Sequence, residues 1–266
     1  MFRLSREVRF AINTADDRTP DRPPTNSYAG YPSLSGLGHY FTLAVTLAGD
    51  LHPQSHYLEN IKQIDQVVRR LAIPLFDRTI RQHPDRFGAP LLAETFDLLH
   101  NAWPPAMLEQ LTLSLSPFLS LSLHASERPM TRLSQKFEFA ASHRLHNPAL
   151  SEEENRQTFG KCNNPHGHGH NYELQVTLVG TPSQDSGLLI DVPAFEQIVA
   201  DTVIDPFDHK NLNIQVKEFQ NEIPSVENIA RVIYRLLKPR LQSSHSKLAS
   251  VTVWETPKTW CEFSED

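Results

Sequence analysis

The sequence predicts an α+β protein made of two tandem units, each an antiparallel sheet with helices on one face. The first observation behind this fold class is an internal repeat. Residues 36–49 read GLGHYFTLAVTLAG and residues 167–180 read GHGHNYELQVTLVG, an offset of 131 positions. The second observation is that alternating strand patterns are followed by helix patterns in each copy.

Two further pairs of segments lie at nearly the same offset. LSREVRFA from Leu4 matches LSQKFEFA from Leu133, and IPLFDR from Ile73 matches IDPFDH from Ile204. Chance similarity between alternating strands would not keep three segments in order and at constant spacing. The polar, proline-containing stretch ASERPMT marks the boundary, so we expect a first domain over 1–126 and a second over 132–266.

The second copy shows the order of elements most clearly. Its VTL alternation is typical of a half-buried antiparallel strand, and Asp191 and Ser225 are suitable N-caps for helices. The expected elements are strands at 133–140 and 171–179, a helix after Asp191, a helix from Ser225 and a strand at 248–255.

Composition excludes several classes of protein. The formal net charge of −6 argues against nonspecific binding to nucleic acid or to acidic membranes, which requires a basic surface. Two distant cysteines do not support a disulfide framework. The start has no apolar signal region, and the most apolar stretch, 111–123, alternates Leu with Ser. We therefore expect a soluble cytoplasmic protein that makes no membrane contact.

The histidines of the second copy predict a metal site. His166, His168 and His170 lead into a strand, where alternate residues share one face. Two of them, with His143 from a neighbouring strand, can form a three-histidine zinc site with an open position, the arrangement of catalytic zinc. Imidazole also suits iron, nickel or copper. The plain alternative is a loop of solvated histidines.

At three other places in the second copy, the residues fit either a functional role or an ordinary structural one. A lone Cys162 is more often a small buried residue, but beside a cation its thiolate would be favoured as a base. Asp208 can orient the adjacent His209, a weak signal alone. Glu255 ends a strand, where its carboxylate can accept two N–H bonds from a guanidine-like ligand edge or simply be solvated.

The second half resembles the 6-pyruvoyl-tetrahydropterin synthase family, zinc-dependent enzymes of the tunnelling fold, along nearly all of 133–260. The resemblance rests on the motifs SHRLHNP, LSEEEN, FGKCNNPHGHGHNY, DHKNL, ENIA and ET, in the family's order. The roles that it implies are zinc ligands His143, His168 and His170, catalytic base Cys162, proton relay Asp208 and His209, pterin anchor Glu255 with Thr256 beside it, and a further contact Glu227.

The resemblance also implies the substrate, a small-molecule pterin triphosphate. The family removes triphosphate from 7,8-dihydroneopterin triphosphate to give 6-pyruvoyl-tetrahydropterin, and a related branch forms 6-carboxy-tetrahydropterin for queuosine and deazapurine synthesis. His168 lies six residues after Cys162, as in the pyruvoyl branch, whereas His166 lies four after it, as is common in the carboxy branch. The repeat places His39 opposite His170, which favours His168 and His170 as ligands. A pterin-binding module without turnover and a structural zinc domain are the alternatives from other classes.

The first copy lacks most of this chemistry. Of the expected ligand and relay positions it keeps only His39 and Asp77, with Arg78 in place of the relay histidine. One imidazole cannot hold catalytic zinc, so we expect a degenerate copy kept for structure. Because the family closes barrels from several subunits, we expect a homo-oligomer built on three chains or a multiple of three. In the family the relay reaches the zinc from a neighbouring unit. A neighbouring first copy would offer only Asp77 and Arg78, so Asp208 and His209 come from another active copy or act within their own.

Overall fold

The structure, a computed structural model, describes residues 1–14, 28–84 and 86–265. The chain divides into two compact units. The first unit comprises Met1–Leu133 with Gly180–Leu189, and the second comprises Ser134–Val179 with Ile190–Asp266. Each is an antiparallel sheet with helices. Among the described residues, no helix combines the length and the apolar character needed to cross a membrane.

The described residues of the first unit form four strands in the order β1-β2-β3-β4, each antiparallel to the next. Its elements are β1 (Phe2–Asn13), β2 (Gly38–Gly49), α1 (Ile61–Gln82), α2 (Gly88–Leu99), β3 (Met107–Ser114), β4 (Leu119–His124) and a 3-10 turn (Ala125–Glu127). Asn60 begins α1 by accepting a hydrogen bond from the Lys62 N–H, at 3.0 Å. Apolar residues recur at helical spacing along α1, so its buried stripe packs toward the strands.

An aromatic cluster forms the centre of this first core. Phe10 of β1, Phe41 of β2 and Phe76 of α1 are all buried. Their ring centroids lie 5.7 Å (Phe10–Phe41), 5.3 Å (Phe10–Phe76) and 5.2 Å (Phe41–Phe76) apart. Two of the contacts are edge-to-face, the geometry that the aromatic quadrupole favours.

The second unit has its strands in the order β5-β6-β8-β9, with a short β7 paired in parallel to β5. The strands are β5 (Thr131–His143), β6 (His168–Gly180), β7 (Lys210–Asn211), β8 (Ser246–Thr256) and β9 (Thr259–Phe263). The α-helices are α3 (Glu152–Phe159), α4 (Val192–Val199), α5 (Asp205–Phe207), α6 (Leu212–Gln215) and α7 (Val226–Leu241). Shorter turns of 3-10 helix lie at Gly160–Asn163 and Lys217–Phe219.

The second core repeats the aromatic arrangement. Phe139 of β5 stacks on Tyr172 of β6 at 5.0 Å and meets Phe207 of α5 edge-on at 6.0 Å between centroids. All three side chains are buried. In both units, therefore, the first strand, the second strand and a following helical segment each contribute one ring.

The structure contains several elements that the sequence-based order did not include, among them β4, β7 and α6. Helix α3 was not expected; the capping box of Ser151 and Glu154 begins it. Strand β9 was also not expected and forms a hairpin with β8. The single helix expected after Asp191 ends at Val199, and the chain continues as a π-helical turn, Ala200–Ile204, before α5. Pro206 lies in the first turn of α5, where its missing N–H is tolerated.

Candidate metal centre and its surroundings

Three histidines meet where β5 ends and β6 begins. His143, the last residue of β5, is fully buried, while His168 and His170 lie two residues apart on one face of β6. The Nε2 atoms of His143 and His168 are 3.1 Å apart. The ring centroid of His170 lies 5.3 Å from that of His143 and 4.9 Å from that of His168.

A glycine makes this meeting possible. Gly167, just before β6, has φ +71°, a left-handed conformation that glycine adopts without strain. A Cβ added there would lie 2.9 Å from the carbonyl oxygen of His143. Any other residue at 167 would therefore push the start of β6, with His168, away from the end of β5.

Glu255 completes the cluster from β8. Its Oε1 lies 3.2 Å from the Nε2 of His143 and 3.3 Å from the Nε2 of His170. One potential ligand atom from each of His143, His168, His170 and Glu255 falls within 4.8 Å of all the others. Among the described residues, this is the one group of three or more such side chains close enough to share a metal ion.

The electrostatics of the cluster suit a cation. Burial lowers the pKa of His168, and the neighbouring His143 and His170 lower it further; burial likewise lowers the pKa of His170. The hydrogen bond from His143 holds the pKa of Glu255 below its usual range, and the charges of the histidines act in the same direction. At neutral pH the site thus offers uncharged imidazoles at His168 and His170 and an ionised carboxylate at Glu255, the forms that bind metals.

Two buried nitrogen atoms of the cluster lack a hydrogen bond, and the metal that the family resemblance implies would satisfy the one on His170. The Nδ1 of His168 and the Nε2 of His170 are buried and have no hydrogen-bond partner among the described atoms. Unsatisfied buried polar atoms are costly and call for an explanation. A set of three imidazoles and one carboxylate is a donor set that zinc accepts, and a shared ion would engage the lone pair of His170.

A layer behind the cluster fixes the ring of His143. Its Nδ1–H donates to the carbonyl oxygen of Pro224 at 2.7 Å. The amide of Asn228, in the first turn of α7, donates to the carbonyl of Ile223 at 2.7 Å, and Ser225 caps the same helix. Arg231 in turn binds the Asn228 side-chain oxygen at 2.6 Å. The start of α7 therefore holds the carbonyl that orients His143.

Cys162 lies in the 3-10 turn before β6 and is half-buried. Its carbonyl accepts from the Leu145 N–H at 2.9 Å, and the guanidinium of Arg144 donates to the carbonyl of Asn163 at 3.1 Å. Burial raises the pKa of the Cys162 thiol, and the negative charge of Glu255 raises it further. With the protein alone, the thiol is therefore protonated at neutral pH.

A buried asparagine holds the long loop that precedes this turn. The Nδ2 of Asn155 donates to the carbonyls of Asn147, Leu150 and Ser151 at 2.9–3.0 Å. Its side-chain oxygen accepts from the Asn147 N–H at 2.8 Å. Asn155 has no exposed surface, so its amide replaces regular secondary structure in fixing the path of the loop toward Cys162.

Asp208 and His209 lie outside the cluster. One oxygen of Asp208 accepts from the Ala140 N–H at 2.8 Å, and the other accepts from Nδ1 of His209 at 2.7 Å. These two hydrogen bonds, the one from Ala140 first, lower the pKa of Asp208. The His209 side chain is 82% exposed and lines an open groove that His170 also lines.

The other residues predicted to contact the substrate lie outside the cluster of four potential metal ligands. Thr256 uses its hydroxyl to accept from the Lys258 N–H in the β8–β9 turn, at 3.2 Å. Glu227 is exposed in the first turn of α7; burial raises the pKa of Cys261, and the negative charge of Glu227 raises it further. His166 is exposed in the turn before β6, outside the group of four ligand side chains.

Comparison with known proteins identifies the family. A model of the family described as 6-pyruvoyl tetrahydropterin synthase matches residues 132–266, just over half of the chain. The chain belongs to this family. The 6-pyruvoyl tetrahydrobiopterin synthase of Drosophila melanogaster is 37% identical over 133 residues, which are 50% of this chain and 79% of that protein. The 6-carboxy-5,6,7,8-tetrahydropterin synthase of Haemophilus influenzae is 30% identical over 156 residues, 51% of this chain and 100% of that protein.

A solved structure also resembles the chain. The structure of the 6-pyruvoyl tetrahydropterin synthase of Caenorhabditis elegans is 36% identical in sequence and superimposes with a TM-score of 0.49. It covers 52% of this chain and 97% of that one.

Sequence reasoning missed the residues that support the cluster in this family member. Asn228 belongs to the ENIA motif and Asn155 to LSEEEN, so the motifs contained the signal but not the role. The carbonyl of Pro224 carries no signal at all, because any residue has a carbonyl. Only the fold brings it 2.7 Å from a histidine 81 positions earlier.

The support behind His143 can be tested with Asn228→Ala. Alanine favours the helix, so α7 and its Ser225 cap should persist, while the 222–225 turn loses its tie to the helix. We expect zinc affinity to fall about 10–100-fold, the usual effect of removing a partner behind a ligand. Chelator competition measures the affinity, with Asn221→Ala on the exposed turn as control. Equal affinities in both variants would show that the turn does not need Asn228.

Proposed function

We propose that the second unit is a zinc-dependent lyase that eliminates triphosphate from 7,8-dihydroneopterin triphosphate and forms 6-pyruvoyl-tetrahydropterin. The observation that supports it most is the cluster of His143, His168 and His170, in a chain whose relatives are named as synthases of this product. Burial favours the neutral form of His168 and His170, and His170 also lines an open groove.

The protein residues would share the work as follows. Bound zinc would supply Lewis acidity to the side-chain hydroxyls of the pterin and acidify the adjacent C–H and O–H bonds. Cys162 takes a proton from the side chain, and His209, oriented by Asp208 at 2.7 Å, returns one elsewhere. Glu255 binds the guanidine-like edge of the pterin ring, with Thr256 beside it and Glu227 as a further contact. No redox cofactor is needed.

One other reaction has specific support. The chain aligns with a whole 6-carboxy-5,6,7,8-tetrahydropterin synthase, and His166 supplies the shorter spacing from Cys162 that is common in that branch. The exposure of His166, outside the cluster, favours the pyruvoyl reaction. A pterin-binding module without turnover is disfavoured because Cys162, Asp208 and His209 are all present.

The product decides among these functions. Purified, zinc-loaded protein is incubated with 7,8-dihydroneopterin triphosphate, and the product is identified by mass. We expect 6-pyruvoyl-tetrahydropterin and released triphosphate. Formation of 6-carboxy-tetrahydropterin with acetaldehyde would assign the chain to the other reaction, and unchanged, tightly bound pterin would identify a binding module.

The base can be tested with Cys162→Ala. Because the thiol lies outside the group of ligand atoms, this variant should bind zinc and pterin almost as the unaltered protein does. Turnover should fall at least ~10²-fold, the usual scale for removing a general acid–base. Cys261→Ala is the matched control. If zinc content fell instead, the thiol would be a ligand and the site a structural one.

We further propose that the chain contains two tandem tunnelling-fold domains, a degenerate copy over 1–126 and a catalytic copy over 132–266. The matching aromatic clusters support this, because Phe10, Phe41 and Phe76 stand at the repeat positions of Phe139, Tyr172 and Phe207. Each described unit also begins with two long strands, continues into helices and ends in a hairpin.

The first copy has different residues at the site positions. Thr14, at the repeat position of His143, donates its hydroxyl to the carbonyl of Leu37. His39 is exposed and stacks on Phe41, at 6.1 Å between centroids. Asp77 lies inside α1 and pairs with Arg81 at 2.8 Å. Element order aligns β8, which carries Glu255 next to its last residue, with β3, which has Leu113 at that position.

The degenerate first copy predicts the metal content. Metal analysis of the purified chain should give about one equivalent of zinc, and His168→Ala should give almost none, because two imidazoles no longer form the three-histidine set. His39→Ala, the matched change in the first copy, should leave the content unaltered. Two equivalents per unaltered chain would contradict a first copy without metal.

We also propose a homo-oligomer built on three chains, with the relay supplied across chains. Unpaired strand edges are a liability that ring closure removes, and closed symmetric rings are common among homo-oligomers. Within the second unit, β9 is paired only with β8 among the described residues. The exposure of His209 and its place outside the cluster agree with its serving a neighbour's metal.

Mixing inactive chains tests the shared site. Mixed oligomers of His168→Ala and His209→Ala chains should recover part of the activity, because some sites combine an intact metal set with an intact relay. Activity is compared with each variant alone, and mass spectrometry confirms the mixing. Properly mixed oligomers without activity would place relay and metal in one chain, along the groove that His170 and His209 share.

A further inference from the structure

The carboxylate of Glu255 stands where a fourth metal ligand would stand. Zinc bonds of about 2.0–2.2 Å to nitrogen and oxygen place the vertices of a tetrahedron about 3.3–3.6 Å apart. The Oε1 atom lies 3.2 Å from Nε2 of His143 and 3.3 Å from Nε2 of His170. The His143–His168 separation, 3.1 Å, is similar. The oxygen thus has the spacing of a ligand.

Hydrogen bonds alone explain poorly why the Glu255 carboxylate lies so close to the Nε2 atoms of His143 and His170. The carbonyl of Pro224 is an acceptor only, so the Nδ1 of His143 carries the proton in that bond. The Nε2 of His143 is the ring nitrogen that faces the carboxylate, at 3.2 Å. The Nε2 of His170 has no aligned hydrogen bond, despite its 3.3 Å contact with Glu255. A cation shared by these atoms would engage the unpartnered nitrogen and the carboxylate together.

The backbone at Glu255 gives an independent reason. The register between β8 and β9 shifts between Trp254 and Thr256, so Glu255 lies at a β-bulge. Bulges interrupt the ladder and redirect a side chain, often beside active sites. The side chain is 18% exposed, so it faces the histidines while keeping limited access to solvent.

We propose that Glu255 is the fourth ligand of the metal when no pterin is bound. The chain thereby closes its own metal site, and the carboxylate leaves the metal when a pterin arrives. The released carboxylate can then accept the N–H groups of the pterin ring, the role given to it above. The first half of this inference rests only on the metal site, and the second half rests on the proposed function.

Metal binding without pterin tests the first half. The full chain is stripped of metal and reloaded with Zn²⁺ or Co²⁺. Glu255→Gln should bind zinc at least about 10-fold more weakly. Loss of a metal ligand should reduce the affinity no less than loss of a residue that hydrogen-bonds to a ligand. The visible spectrum of its Co²⁺ form should also shift, because a charged oxygen donor is replaced.

The control is Glu173→Gln, the same substitution on β6 at a side chain that pairs with Lys136. It should leave zinc affinity and the Co²⁺ spectrum unchanged. Thermal unfolding of the metal-free proteins checks that both variants are folded, and Glu255→Asp provides a second variant that keeps the charge. A Co²⁺ spectrum of the unaltered protein identical to that of Glu255→Gln, with equal zinc affinity, would overturn the inference.

Adding 7,8-dihydroneopterin to the Co²⁺ protein tests the second half. Binding is followed by pterin fluorescence, and the Co²⁺ spectrum of the unaltered protein should change as the pterin binds. Binding without a spectral change would overturn the exchange. Failure of the pterin to bind would count against the proposed function and leave the metal-only result standing, so the two failures are distinguishable.

Discussion

The hydrogen bond from His143 to the carbonyl of Pro224 is the contact on which the candidate site depends. His143 is fully buried at the end of β5, so its ring can be oriented only by atoms of the protein. With Nδ1 committed to Pro224 at 2.7 Å, Nε2 faces His168 and Glu255. The chain segments that supply these groups are distant in sequence, and packing of α7 against the sheet brings them together.

The strand pattern and the histidine spacing carried most of the predictable information. His168 and His170 share a face because strand periodicity is two, and periodicity also located β5, β6 and β8. The extra strand β9 and the bulge at Glu255 depend on a turn and a register shift that no simple alternation encodes. Sequence reasoning therefore assigned Glu255 to the pterin but could not place its carboxylate 3.2 Å from a histidine.

Asp208 shows why a dipeptide motif understates a residue's role. Its carboxylate accepts from the Ala140 N–H as well as from the His209 ring, so it fastens the 208–209 segment to β5 and orients the imidazole. His209 itself has φ +55°, an uncommon conformation for a residue with a side chain. Its backbone N–H donates to the carbonyl of Ala140. The fold thus holds the exposed imidazole of His209 in a fixed orientation. The sequence alone shows only that Asp208 and His209 are adjacent polar residues.

The pKa of Cys162 links the two halves of the site. Burial and the negative charge of Glu255 both raise it, so a thiol in the metal-free protein is a poor base at neutral pH. A divalent cation beside the histidines opposes both effects, because it stabilises a thiolate and offsets the charge of the carboxylate. The carboxylate of Glu255 therefore favours a protonated Cys162 thiol until a cation is present. Under the proposed function, turnover would depend on metal loading through Cys162 as well as through the substrate.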